Sequence, residues 1–210
     1  MSFSRLLAYV FLPRCHCVLC QREASVGDDL LCEDCRKRLR VCVSPAAPQP
    51  LDGLCAGLVY EDDAVWAMHR FKYQNDLYFR HLFAAFIILP PEWQIDCMIP
   101  VPLHPFKHWL RGYNQSEELC MELQARYPYP ILKKLLRRTR YTDTQTRLSA
   151  KQRAKNVRGA FVADARVSGR SVLLVDDVTT THATLIACAA ALKAAGAKRV
   201  YAACACQAGE

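Results

Sequence analysis

The chain has 210 residues, of which 52% are hydrophobic and 23% charged, and a mean hydropathy of -0.03. It can bury a core, so a wholly disordered, collagen-like or coiled-coil chain is excluded. Lys and Arg number 28 against 20 Asp and Glu, and the pI near 8.9 suits an anionic partner without naming one. No apolar run approaches the ~20 residues that cross a bilayer, and membrane insertion is not expected.

Taken in order, Arg5 and the apolar residues 6–12 imitate a short signal peptide. No small-residue cleavage site follows, and Pro13-Arg14-Cys15 is a poor one. The expectation is a short amphipathic helix and a cytoplasmic protein, in which clustered thiols more often hold metal than form disulfides.

Twelve cysteines are spread unevenly, with Cys15, Cys17, Cys20, Cys32, Cys35 and Cys42 at the start of the chain. Cys17-Val-Leu-Cys20 and Cys32-Glu-Asp-Cys35 are C-x2-C pairs separated by eleven residues. A two-residue gap lets a turn aim both sulfurs at one ion, and two such turns complete a tetrahedron. Ordinary buried cysteines account for Cys97 or Cys188 but not for two matched pairs. Cys15 and His16 are alternatives to Cys17, and Cys42 is a further thiol nearby; the spacing favours Cys17, Cys20, Cys32 and Cys35 around structural Zn2+. With four protein ligands, no position is left for a reactive water.

Residues 41–51 are uncharged and carry Pro45, Pro48 and Pro50, which reads as a semi-rigid linker. The expected division is 1–45 for helix and ribbon, 46–53 for the linker and 54–210 for the main domain. Strands are predicted at 54–60, 97–101, 171–175 and 199–206, and helices at 63–71, 78–89, 115–125 and 183–195. The last helix is stopped by Gly196. Strand 171–175, helix 183–195 and strand 199–206 make a βαβ unit, which requires a parallel pair. The fold class is α/β.

The segment Val172-Leu-Leu-Val-Asp176-Asp177-Val-Thr179-Thr180-Thr181-His182-Ala183-Thr184 is the richest in chemistry. A buried strand delivers two acids to its carboxyl end, a hydroxyl-rich turn follows, and a helix begins. Ligands of open α/β sheets bind at that edge, and the free N–H groups of a helix start suit a phosphate. Asp176 and Asp177 can accept from sugar hydroxyls, so the site has a phosphate pole and a polyol pole, as a ribose 5-phosphate does. Capping of the helix alone needs only one such polar residue.

This segment resembles the phosphoribosyl-diphosphate (PRPP) loop of type I phosphoribosyltransferases. With the two cysteine pairs, Phe71-Lys72-Tyr73, Ile99-Pro-Val-Pro-Leu-His104, Arg111-Gly112-Tyr113-Asn114-Gln115, Gln145, Arg153-Ala-Lys-Asn156 and Gly159-Ala-Phe161, the chain resembles the ComF family of competence-associated proteins. The resemblance implies a phosphoribosyltransferase-type, mainly parallel sheet flanked by helices, with a small N-terminal zinc ribbon. It implies that Asp176 and Asp177 hold the ribose hydroxyls and residues 179–184 the 5-phosphate. Val101 and Pro102 would meet pyrophosphate, and Arg111 and Lys72 would neutralise it with Mg2+. Asp176, Asp177 and Arg111 would be the catalytic set if PRPP is turned over. One departure from the family pattern is His182 where Gly is usual; a β-carbon there costs ~1 kcal/mol if φ is positive.

From Lys133 to Arg158 ten basic residues face a single acid, Asp143. Lys133, Lys134, Arg137, Arg138, Arg140, Arg147 and Arg153, with Tyr127, Tyr129 and Tyr141 close in sequence, suit single-stranded DNA. A solvated surface, or a loop closing over pyrophosphate, fits the composition equally. The resemblance favours DNA, and implies a role in natural transformation or DNA utilisation beside a helicase or recombination mediator. The alternative is an active phosphoribosyltransferase with an unidentified acceptor. Trp66, Trp93 and Trp109 read as core or edge packing.

Overall fold

The computed structural model describes residues 16–43, 46–140, 157 and 159–208. The expected helix at 6–12, and with it Cys15, Tyr141, Gln145, Arg147 and Arg153, falls outside those residues. In chain order the elements are α1 (Glu33–Arg38), β1 (Gly53–Val59), α2 (Asp62–Tyr73), α3 (Phe79–Phe86), β2 (Cys97–Pro100), α4 (Pro105–Arg111) and α5 (Gln115–Leu123). They continue with β3 (Leu136–Arg138), β4 (Phe161–Ala163), β5 (Ser171–Thr179), α6 (Ala183–Ala194) and β6 (Arg199–Gln207). Short 3-10 turns occupy Lys133–Leu135 and Ala165–Val167.

Four strands form one sheet in the order β1-β6-β5-β2, and every pairing in it is parallel. A parallel sheet is covered on both faces, so its strands are apolar throughout and not alternating. Successive side chains of β5 separate accordingly. Leu173 and Val175 join α2, α3 and α5 through Met68, Phe71, Phe83 and Leu119. Val172 and Leu174 join α6 and the β3–β4 hairpin through Leu185, Cys188, Leu136 and Phe161. The buried residues Leu185, Cys188, Ala189 and Leu192 of α6 recur at one-turn spacing, the stripe that a helix needs to lie on a sheet. The expected β5–α6–β6 unit is present, with Val175 opposite Ala203.

Two corrections to the predicted elements bear on function. Strand β5 runs to Thr179 and not to 175, so both aspartates are strand residues held in register by β6. Trp109 does not pack: it is 78% exposed. The other tryptophans do, Trp93 stacking on Tyr201 at 4.5 Å and Trp66 meeting Phe79 edge-on at 5.8 Å. Arg126 closes the end of α3 by donating to the carbonyls of Ala84, Ala85 and Ile87, at a helix terminus where carbonyls run short of backbone donors; Ala84 C=O also accepts from Ile87 N–H.

The cysteine-bearing segment docks on the α2 face. Cys17, Leu19, Leu31, Cys35 and Leu39 share one buried cluster with Leu58 and Phe71. The chain then pairs with β1: Val41 faces Leu58 in an antiparallel bridge, and Val59 N–H donates to Arg40 C=O at 2.8 Å. Among the described residues no helix is long and apolar enough to cross a membrane.

Candidate functional site

The carboxyl edge of the sheet gathers side chains from four elements. Asp177, on the odd-numbered face of β5, meets Lys72 of α2 with Nζ 3.0 Å from Oδ2. Asp176 is buried; its Oδ1 accepts from Ser116 Oγ at 3.2 Å and from Asp177 N–H at 2.9 Å. Burial is the main cause, and the charge of Asp177 the second, that raises the Asp176 carboxyl from 3.8 to about 7. Burial opposes the charge of Lys72, but the charge of Asp177 and its hydrogen bond outweigh this and raise the amine. Arg111 is close enough to work against that rise. Its guanidinium donates to Gln115 Oε1 at 2.9 Å and to Tyr73 Oη at 3.3 Å, with its carbon 5.0 Å from the Tyr73 ring centre.

The Pro100-Val101-Pro102 turn is tied to the same edge. Val101 N–H donates to Val175 C=O at 2.9 Å, and Asn114 Nδ2 donates to Val101 C=O at 3.0 Å. Asn114 also caps α5, its Oδ1 accepting from Ser116 N–H at 3.1 Å. One side chain thereby joins the turn, the helix start and, through Ser116, the buried aspartate.

Past β5 the chain turns through Thr180 and Thr181 into α6. His182 precedes the helix at φ 57° and ψ 5°, the left-handed region that a β-carbon disfavours. The condition under which replacing Gly is costly is met. Its Nε2 is buried and has no hydrogen-bond partner. The residues expected at this site therefore converge: Lys72, Arg111, Val101, Pro102, Asp176, Asp177 and the 179–184 turn lie along one edge. Thr179 departs in detail, since it is a buried strand residue whose carbonyl accepts from Ala208 N–H. Ser116, Gln115 and Tyr73 were not singled out individually from the sequence. Ser116 lies 60 residues from Asp176 in the chain, and no local pattern announces that contact.

The four cysteines also converge. The sulfurs of Cys17, Cys20, Cys32 and Cys35 all lie within 4.8 Å of one another. Four thiolates at about 2.3 Å from a tetrahedral ion stand about 3.8 Å apart, and Cys20 Sγ to Cys32 Sγ is 3.9 Å. The cluster is compatible with a structural metal site. Asp29 braces it from within: buried, it pairs with Arg36 at 2.6 Å and accepts from Leu31 N–H at 3.1 Å.

The basic stretch is partly described. Lys133 pairs with Glu117 at 2.7 Å, Lys134, Arg137 and Arg140 are exposed, and the Arg138 guanidinium lies 5.4 Å above the Phe161 ring. Tyr127 and Tyr129 pack against the core, and Tyr127 Oη accepts from Leu89 N–H. These two rings are committed to the fold and do not flank the track as stacking surfaces.

Comparison with known proteins fits this geometry. Residues 118–210 match the phosphoribosyl transferase domain family. Over 198 residues the chain is 29% identical to competence protein F of Haemophilus influenzae, covering 80% of this chain and 86% of that protein. These matches support the ComF resemblance. Among other relatives, competence protein ComFC of Streptococcus pneumoniae is 30% identical over 132 residues, covering 62% of this chain and 57% of that protein. DNA utilization protein YhgH of Escherichia coli O157:H7 is 40% identical over 112 residues, 53% of this chain and 49% of that protein. The match thus spans about half of YhgH. Among solved structures, glutamine PRPP amidotransferase from B. subtilis with ADP and GMP is similar at a TM-score of 0.40 and 20% identity, over 64% of this chain and 26% of that one.

Proposed function

We propose that this protein serves DNA uptake or DNA utilisation by binding single-stranded DNA and a phosphoribosyl ligand such as PRPP. The observation that carries the ligand is the Asp176–Asp177 pair at the carboxyl end of β5, with Lys72 on one acid and Ser116 on the other. Two carboxylates ahead of a helix start match a ribose diol followed by a phosphate. The ribbon cysteines fit Zn2+, whose role is to hold the first segment together. The names of the relatives support the DNA role, as do the exposed cations at 134, 137 and 140.

Calorimetry with PRPP and Mg2+ tests the pocket. Wild type is expected to bind, and Asp176→Asn with Asp177→Asn to lose binding; equal affinity would remove the ribose assignment. Oligonucleotide affinity should fall steeply with added salt, and Arg137→Ala with Arg138→Ala should flatten that dependence. A helicase or recombination mediator is the expected protein partner.

A second reading is turnover of PRPP. Lys72 and Arg111, cations gathered beside the acids, favour it, since charge on departing pyrophosphate needs fixed positive groups. Release of pyrophosphate with a panel of acceptors distinguishes turnover from binding alone.

A further inference from the structure

Helix α4 has no buried residue, unlike every other helix among the described residues. Trp109 is 78% and Leu110 66% exposed, and the Phe106 and Trp109 rings lie 6.2 Å apart at an interplanar angle of 31°. The helix is held at its ends. His104 Nδ1 accepts from Phe106 N–H, Pro105 fills the first position, and Gly112 takes the left-handed conformation at φ 78°. A seven-residue helix has little intrinsic stability, so these devices present an aromatic face without packing it.

The surroundings of that face decide its partner. No Asp or Glu occurs between Asp96 and Glu117, while Lys107 and Arg111 lie within that interval, with His104 and His108. Arg111 leads from α4 directly to the edge that holds Lys72 and the aspartates. On the other side, Lys133 reaches Glu117 in the first turn of α5, so the basic stretch starts beside the same connection. Exposed rings set among cations, on a stretch of chain that carries no carboxylate, match a polyanion whose bases offer π-faces.

We propose that the Phe106–Trp109 face of α4 is the base-stacking platform for single-stranded nucleic acid, with Lys107, Arg111, Lys134 and Arg137 taking the phosphates. The proposal rests on the reading of the chain as a single-strand binder and adds where the bases sit. It moves base contact from Tyr127 and Tyr129, which the core occupies, to the one exposed indole of α4.

The test uses the full chain and a fluorescein-labelled oligothymidylate, with anisotropy measured at several salt concentrations. Trp109→Ala should weaken binding roughly 5- to 150-fold, the range for loss of a stacked base. The slope of log affinity against log salt should be unchanged, because no phosphate contact is lost. Trp109→Phe should retain most of the affinity. Wild-type binding with an undiminished Trp109→Ala variant overturns the platform and leaves the DNA reading standing. Absence of wild-type binding overturns both. If Trp109→Ala instead shifts sedimentation from a larger species to the monomer with affinity intact, the face joins two copies of the chain and the platform is refuted.

Discussion

Asp176→Asn should make the protein more stable at neutral pH while abolishing ligand binding. The native carboxyl titrates near 7 against an ordinary 3.8, burial being the larger cause and Asp177 the next. Between about pH 4 and about pH 7 the folded chain therefore holds a proton that the unfolded chain has released. Stability contributed by this group falls as pH rises through that window and levels off above it. A displacement of ~3 units corresponds to at most about 4 kcal/mol. Water entering at the open edge of the sheet reduces the expected gain in the variant to roughly 1–3 kcal/mol at pH 8. Asn keeps the acceptor for Ser116 and for Asp177 N–H, so no hydrogen bond is sacrificed. Urea unfolding of both proteins at pH 5, 6, 7 and 8 measures the effect, and taking their difference cancels titration of the ribbon cysteines. The gain should be small at pH 5 and grow towards pH 8. A variant less stable than wild type at pH 8, or a difference that shrinks as pH rises, would refute the reasoning.

Other outcomes follow from single contacts. Cys32→Ser should lose bound metal and open the first 45 or so residues to protease; stoichiometric zinc retained in that variant would contradict the four-cysteine site. His182→Gly relieves a left-handed β-carbon and should raise stability by ~1 kcal/mol, read as a higher Tm; titration with PRPP then shows whether the imidazole obstructs the phosphate. Asn114→Ala removes both the cap of α5 and the tie to Val101, and should cost about 1–2 kcal/mol in urea unfolding. It should also weaken PRPP binding, since the 100–102 turn loses its anchor.

The sequence made the β5–α6–β6 unit legible because an unbroken apolar run, a one-turn apolar stripe and a terminal Gly196 agree with one another. The aspartate pair and the cysteine pairs were legible for a similar reason, since chemistry concentrated at short spacing survives without knowledge of the fold. Helix α4 was not visible: with every apolar side chain turned outward, it offers no buried stripe to detect. The β3–β4 hairpin was hidden by length, as each strand has three residues and a basic stretch intervenes. Trp109 reads as packed from sequence because large aromatic residues usually pack, and only its exposure in the fold shows that this one does not. The Ser116–Asp176 bond depends on the crossing of α5 over β5, which no local pattern encodes.

The antiparallel bridge between Val41 and Leu58 has a practical consequence for anyone cutting the chain. Residues 40–42 blunt the outer margin of β1, and the cysteine lobe roofs part of the apolar layer beneath it. A fragment starting at residue 46 would bare that margin, leaving Gly57 C=O and Val59 N–H without their present partners. Open strand margins invite pairing with other molecules. Stripping any metal that the four cysteines hold should do the same more gradually, so that chelation is felt as clumping of the whole protein and not only as unravelling at one end.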